Sequence, residues 1–278
     1  MKSIRKVRLA YTILQNVVLA IVALVFISPI YIAIANAFKE SSLIQKSPLS
    51  FPIPILLDNI KRAFSTPGVN VGKMYLNSIT LVVCATVLTV IVSSLAAYYM
   101  ARTVSVIGPK LRIFFLLGLM VPYVIVYLPL CIVVRKLNIP FELPLLIMVF
   151  VSGNISFSTF MFTNYIRSLP ADIEEAASID GATKWQTFWL VLFPLLKPCT
   201  ATVSIFVGLG VWNDFMTPLL LGQVQTITVG MYTAIGPHSA DWGLVFAFVL
   251  FATVPVIIAY LCAQKQFISG LTSGAMKG

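Results

Sequence analysis

The chain has 278 residues, of which 59% are hydrophobic and 10% charged, with a formal net charge of +10. Soluble domains carry roughly 25% charged residues, so this composition excludes a soluble globular protein and describes a polytopic membrane protein. The Lys and Arg residues sit in short segments beside apolar runs, where they orient the chain and meet anionic lipid headgroups; they form no basic stripe with interleaved aromatics, which excludes a nucleic-acid partner.

Lys2, Arg5, Lys6 and Arg8 open the chain, and no further charge occurs before Lys39. Crossing lipid takes about 20 apolar residues, so this run is a first span. Ala35-Asn36-Ala37 resembles a cleavage site, but the run exceeds the apolar core of a signal peptide, about 7 to 15 residues. Pro29 marks a kink. Residues 38–73 form a polar connection punctuated by Pro48, Pro52, Pro54 and Pro67, with a short helix expected at 58–64.

Five further spans are expected at 74–101, 113–134, 143–166, 199–221 and 242–263, with kinks in the third at Pro122 and Pro129. Six crossings leave both termini on one side. Placing the N-terminus inside gives twelve Lys and Arg to the internal segments and seven to the external ones, a bias that makes both termini cytoplasmic. The expected divisions are a first span with its external loop (1–73), a core of five spans (74–264) carrying a cytoplasmic loop at 168–194, and a cytoplasmic tail (265–278). The segment 222–241 has no Lys or Arg and falls outside, with Gly230, Gly236 and Pro237 suiting an exposed, turn-rich loop. His238 in that loop reads as solvated.

Ala85, Thr89, Ser93, Ala97 and Ala101 recur every four residues in the second span, as do Thr200, Ser204 and Gly208 in the fifth. Helices in lipid associate through such small-residue stripes, so these are seams, within the chain or with a partner. Ser152, Asn154, Ser156, Ser158 and Thr159 make a polar stretch that either lines a pathway or binds neighbouring helices. Asp214 is the one carboxylate well inside an apolar span, a costly placement that points to function. With Trp212 and Asn213 it offers a passing solute an acceptor and an aromatic face; interhelical bonding, or a helix unwound by Pro218, is the equal alternative. Cys84, Cys131, Cys199 and Cys262 lack paired spacing or nearby His ligands and read as small hydrophobes, with no metal site.

The one acid-rich helical segment lies between the fourth and fifth spans. Pro170 suits a first helical turn, and Asp172, Glu174 and Glu175 complement the positive end of a helix dipole. Ile173, Ala176, Ala177 and Asp180 share a narrow face of mostly small residues, which lets another protein come close. Gly181 allows a left-handed residue at the helix end. Thr183 with Gln186 forms a capping-box pattern, opening a second helix whose apolar face is Trp185, Phe188, Trp189 and Leu192. The expected form is helix, turn, helix, lying along the membrane surface.

Glu175-Ala176-Ala177, then Gly181, then Val191-Leu192-Phe193-Pro194 resembles the EAA motif of ATP-binding-cassette importer permeases; Val191 and Phe193 stand where Ile and Leu are commonest. Asn77-Ser78, the run from Ala96 to Arg102, Trp212-Asn213-Asp214-Phe215, Thr228-Val229-Gly230 and the tail at 264–278 are similar to the carbohydrate-uptake branch, in its maltose-type second permease subunit. The resemblance implies an all-α type I importer permease fold with six transmembrane helices and a cytoplasmic coupling helix. It implies ATPase docking by Glu174, Glu175, Ala176, Ala177, Asp180 and Gly181, with Gly274, Ala275 and Lys277 as further ATPase contacts. Its implied partners are nucleotide-binding subunits, a second and different permease, and an extracytoplasmic binding protein that delivers a sugar. In position, the loop at 222–241 matches one that reaches into the binding protein.

The sequence holds no phosphate-binding G-x-x-x-x-G-K-[ST] loop, so ATP belongs to separate subunits and this chain needs no cofactor. With one His and nine acids, no catalytic cluster is visible. An ion-coupled secondary transporter would need several membrane-embedded ionisable groups, and only Asp214 is clear; that reading, and an importer for a non-sugar solute, are the alternatives.

Overall fold

The computed structural model describes residues 2–103, 105–140, 142–235 and 240–275, with side chains from Tyr11 onward except Ala263 and residues 265–275. The described residues are helical apart from turns, loops and one isolated bridge between Ile235 and Ala240. The helices are α1 (Lys2–Ala37), α2 (Ser41–Lys46), α3 (Asp58–Ser65), α4 (Val71–Arg102), α5 (Ile107–Met120), α6 (Tyr123–Lys136), α7 (Leu143–Arg167), α8 (Asp172–Ile179), α9 (Lys184–Leu195), α10 (Lys197–Asn213), α11 (Ile227–Thr233) and α12 (Trp242–Ala275). Four of them are long and apolar enough to cross a membrane, or up to six spans if the bent pairs α5–α6 and α9–α10 each count as one.

Two expected spans differ from the reading by composition. The third is broken: α5 and α6 meet at 97°. Val121 and Pro122 both take extended backbone, with ψ of 114° and 121°. Proline disfavours helical geometry in the residue before it, and here that preference ends one helix and redirects the next. Pro129 lies within α6, and Pro29 within α1, without interrupting either. The fifth expected span stops at Asn213, where Asp214 becomes extended, and resumes as a π-helical turn at Pro218–Gly222. The loop at 222–241 contains α11, which takes in Gly230, while Gly236, Pro237 and His238 lie outside the described residues.

The chain forms two compact units. One comprises the chain up to Val71 and Gly230–Val254. Its connection between α1 and α4 is rich in proline and short of regular hydrogen bonds, so side chains satisfy the carbonyls. Asn59 donates to the carbonyls of Ala37 and Lys39 at 3.3 and 2.7 Å. Asn36 donates to those of Ile32 and Pro48, and Lys39 Nζ to those of Ser47 and Pro48. Burial pushes the Lys39 ammonium below its ordinary pKa. Asp241 caps the start of α12 by accepting from Leu244 N and also pairs with Arg62.

The second unit, Gly72–Val229 with the chain from Pro255 onward, holds the main core. Leu81, Ala85 and Ala97 of α4 pack there with Leu146, Phe150 and Phe162 of α7, Phe188 and Leu192 of α9, and Val203 and Val207 of α10. The α4 stripe is an internal seam, since Ala85, Thr89, Ser93 and Ala97 are all fully buried. Gly208 of α10 faces α4 beside that stripe, where a Cβ would make ordinary contact at 3.7 Å with both Thr86 and Val82. Ser158 and Thr159 of the polar stretch are also buried.

Candidate functional site

The acid-rich segment folds as a helix, a tight turn and a second helix. α8 begins at Asp172, leaving Pro170 outside its first turn, and the Glu174 and Glu175 amides bond to the Ala171 carbonyl at 2.9 and 3.1 Å. Three carboxylates in that turn, Asp172, Glu174 and Glu175, face the positive end of the dipole. At the other end Gly181 takes φ +82°. Ala182 N donates to the Ala177 carbonyl and Gly181 N to that of Ser178, at 3.0 and 3.1 Å; this pair of bonds is the Schellman closure of a helix. Two residues on, the Thr183 hydroxyl accepts from Gln186 N at 3.3 Å and Gln186 Oε1 accepts from Thr183 N at 2.9 Å. That reciprocal capping box fixes where α9 starts.

α9 is held by aromatic packing. Phe188 and Trp189 have ring centroids 4.9 Å apart, Trp189 and Phe193 likewise 4.9 Å, and Trp185 contacts Trp189 at 5.6 Å. Its middle, Thr187–Leu192, is π-helical, a geometry that concentrates at functional positions. A 75° bend then leads into α10.

The expected docking residues divide by burial. Glu175, Ala176, Asp180 and Gly181 are exposed, whereas Ala177 is buried within the chain. Glu174 also turns inward: Arg102 Nε at the end of α4 donates to its Oε1 at 2.7 Å, and the two side chains are 22% and 14% exposed. Arg102 Nη2 also reaches the Leu169 carbonyl at 3.1 Å. The outward face gains Ile179, 87% exposed, with Trp185 at 63% nearby in sequence. Ile179 lies outside the set of Ile173, Ala176, Ala177 and Asp180 that the periodicity groups, and a large apolar side chain at the helix end beside Asp180 is the signal that marks it. Gly274 and Ala275 fall in the last turn of α12, and Lys277 lies outside the described residues.

A second cluster surrounds the break after α10. Asp214 Oδ1 accepts from Thr217 N at 3.0 Å, and Oδ2 from the hydroxyls of Thr217 at 2.6 Å and Tyr127 at 3.3 Å. Its carbonyl accepts from Thr228 Oγ1 at 3.1 Å. The carboxylate therefore caps the turn that follows and ties it to α6. Asn77 Nδ2 donates to the Gln225 carbonyl at 2.8 Å, and Ser78 Oγ accepts from Ile227 N at 3.1 Å, which fastens the segment before α11 to the start of α4. Asn213 is exposed and donates to the Leu209 carbonyl at 2.9 Å, while Trp212 is half-buried. Among the described residues no group of His, Cys, Asp or Glu is placed to hold a metal ion.

Residues 90–271 match the family described as binding-protein-dependent transport system inner membrane component. The chain is 31% identical to the multiple sugar-binding transport system permease protein MsmG of Streptococcus mutans, over 95% of this chain and 96% of that protein. It is 32% identical to the trehalose/maltose transport system permease protein MalG of Thermococcus litoralis, over 93% of this chain and 94% of the relative. It is 31% identical, over 93% and 94%, to the melibiose/raffinose/stachyose import permease protein MelC of Bacillus subtilis. In fold it is similar to a chain of a bacterial ABC transporter involved in import of the acidic polysaccharide alginate, with a TM-score of 0.78 at 21% identity over 92% of this chain and 96% of the other. Membership of such a family implies ATPase subunits, a second permease and a solute-binding protein as partners, and it displaces the ion-coupled reading. The chain belongs to the inner membrane components of binding-protein-dependent transport systems and is the non-catalytic, multi-pass permease subunit of an ATP-binding-cassette importer.

Proposed function

We propose that this permease moves a sugar or oligosaccharide delivered by an extracytoplasmic binding protein, and that it pairs with a different permease chain. ATP is bound and hydrolysed on the partner subunits, and this chain carries no cofactor. Both termini lie in the cytoplasm, as the distribution of Lys and Arg favours. Support for a carbohydrate comes from the transport of sugars named for MsmG, MalG and MelC.

The site assignment rests on one observation: α8 has an inner face fastened to the chain and an outer face of Glu175, Ala176, Ile179, Asp180 and Gly181 left open. In this reading that outer face seats in the ATPase, the small side chains allowing close approach and Ile179 entering an apolar recess. Gly274, Ala275 and Lys277 add contacts from the tail. Asp214 has both carboxylate oxygens engaged within the chain, so Asn213, exposed and with its amide nitrogen bonded along its own helix, is the stronger sugar contact of the three.

The test is reconstitution of the complete importer in proteoliposomes with its binding protein, challenged with neutral oligosaccharides, amino acids and peptides. Stimulation of ATP hydrolysis by an oligosaccharide is expected. Stimulation by an amino acid or peptide, with every sugar silent, would refute the substrate class.

A further inference from the structure

Building on the reading that α8 seats in the ATPase, we propose that Arg102 is a positioning residue that fastens α8 to the end of α4. A displacement of α8 then reaches α4 directly, besides travelling through the chain connections to α7 and α9.

Arg102 grips two things at once: the Glu174 carboxylate on α8, at 2.7 Å, and the Leu169 carbonyl in the segment leading into α8, at 3.1 Å. The planar guanidinium fork suits two acceptors held at a fixed angle, whereas the point charge of a lysine does not. Both partners are mostly shielded from water, and a hydrogen bond between ionised groups is roughly twice as strong as a neutral one. One helical turn earlier, the Tyr98 ring lies 5.4 Å from that of Phe188 in α9. The last two turns of α4 thus contact both helices of the connecting element.

The two neighbouring carboxylates consequently do different jobs. Glu175 is exposed and available to a partner, while Glu174 is turned inward and committed to Arg102. Further along α4, Ala85 and Ala97 are embedded in the core with α7 and α10. Motion entering at α8 therefore has a rigid route into that core through a second helix.

The experiment uses the complete importer carrying Arg102→Glu, Glu174→Arg, Glu174→Gln or the exchanged pair Arg102→Glu/Glu174→Arg. It reads membrane insertion, co-purification of the ATPase, and solute moved per ATP hydrolysed. The single variants are expected to keep the ATPase but lose about tenfold in solute moved per ATP, within the range of coupling between two sites. The exchanged pair is expected to recover most of that loss. Glu174→Gln removes the charge at unchanged size and introduces no repulsion, so its expected loss of coupling decides the matter if the charge-reversed chains fail to insert.

Glu175→Lys, measured alongside, is expected to lose the ATPase altogether, which separates failed docking from a failed strut. Wild-type transport per ATP in the single variants, or an exchanged pair no better than its parents, overturns the role of Arg102 and leaves the docking reading in place. Full ATPase retention and coupling in Glu175→Lys overturns the docking reading instead.

Discussion

At Gly181 the backbone sits at φ +82°, and a Cβ placed there would meet nothing within 4 Å. The internal cost of adding a side chain is therefore the left-handed backbone alone, about 1–2 kcal/mol. Gly181→Ala should lower the thermal stability of the solubilised protein by that amount. Gly181→Leu should have a similar effect on stability but abolish transport, because the larger side chain projects from the face assigned to the ATPase; thermal melts paired with uptake assays check both. Asp214 poses the opposite case, since its carboxylate already serves Thr217 and Tyr127. Asp214→Ala removes a capping acceptor and should destabilise by about 1–2 kcal/mol, measurable as a lower unfolding midpoint, whether or not a sugar passes nearby. Gly181 and the Thr183–Gln186 box are legible in the sequence because their partners lie within a few residues. The Arg102–Glu174 pair joins positions 72 residues apart, and no local pattern announces it.

The elements read from hydrophobicity hold where one helix carries one uninterrupted pattern. α4 and α7 start and end within three residues of their expected bounds at 74–101 and 143–166. Composition fails where the pattern continues but the backbone turns. Val121-Pro122 redirects an apolar run by 97°, and Asp214 halts α10 before the apolar stretch ends. Hydrophobicity reports that a segment prefers lipid, not that it stays straight. The capping box at the start of α9 is an element-scale test. Thr183→Ala removes its reciprocal bonds and should cost about 1 kcal/mol, visible as faster amide exchange in α9 while α8 is unchanged.

For the whole chain, the proposed topology, drawn from the bias of Lys and Arg, puts α8 and α9 in the cytoplasm and the connection between α1 and α4 outside. In a cysteine-free background, Ser42→Cys should react with an impermeant maleimide in right-side-out vesicles, and Ser178→Cys only in inverted ones; Ser42 in α2 and Ser178 in α8 are both exposed side chains. The reverse pattern would invert the topology. The multi-span, all-helical architecture was legible because crossing lipid requires long apolar runs whatever the tertiary detail. The interior arrangement, with α4, α7, α9 and α10 sharing one core, depends on contacts that only the folded chain specifies.

The central claim is that force from an ATPase enters this subunit through the outer face of α8. Substrate-stimulated ATP hydrolysis and transport by the reconstituted Glu175→Lys importer test it most directly. The account predicts normal membrane insertion with neither stimulation nor transport, whereas wild-type substrate-stimulated hydrolysis coupled to uptake would contradict it.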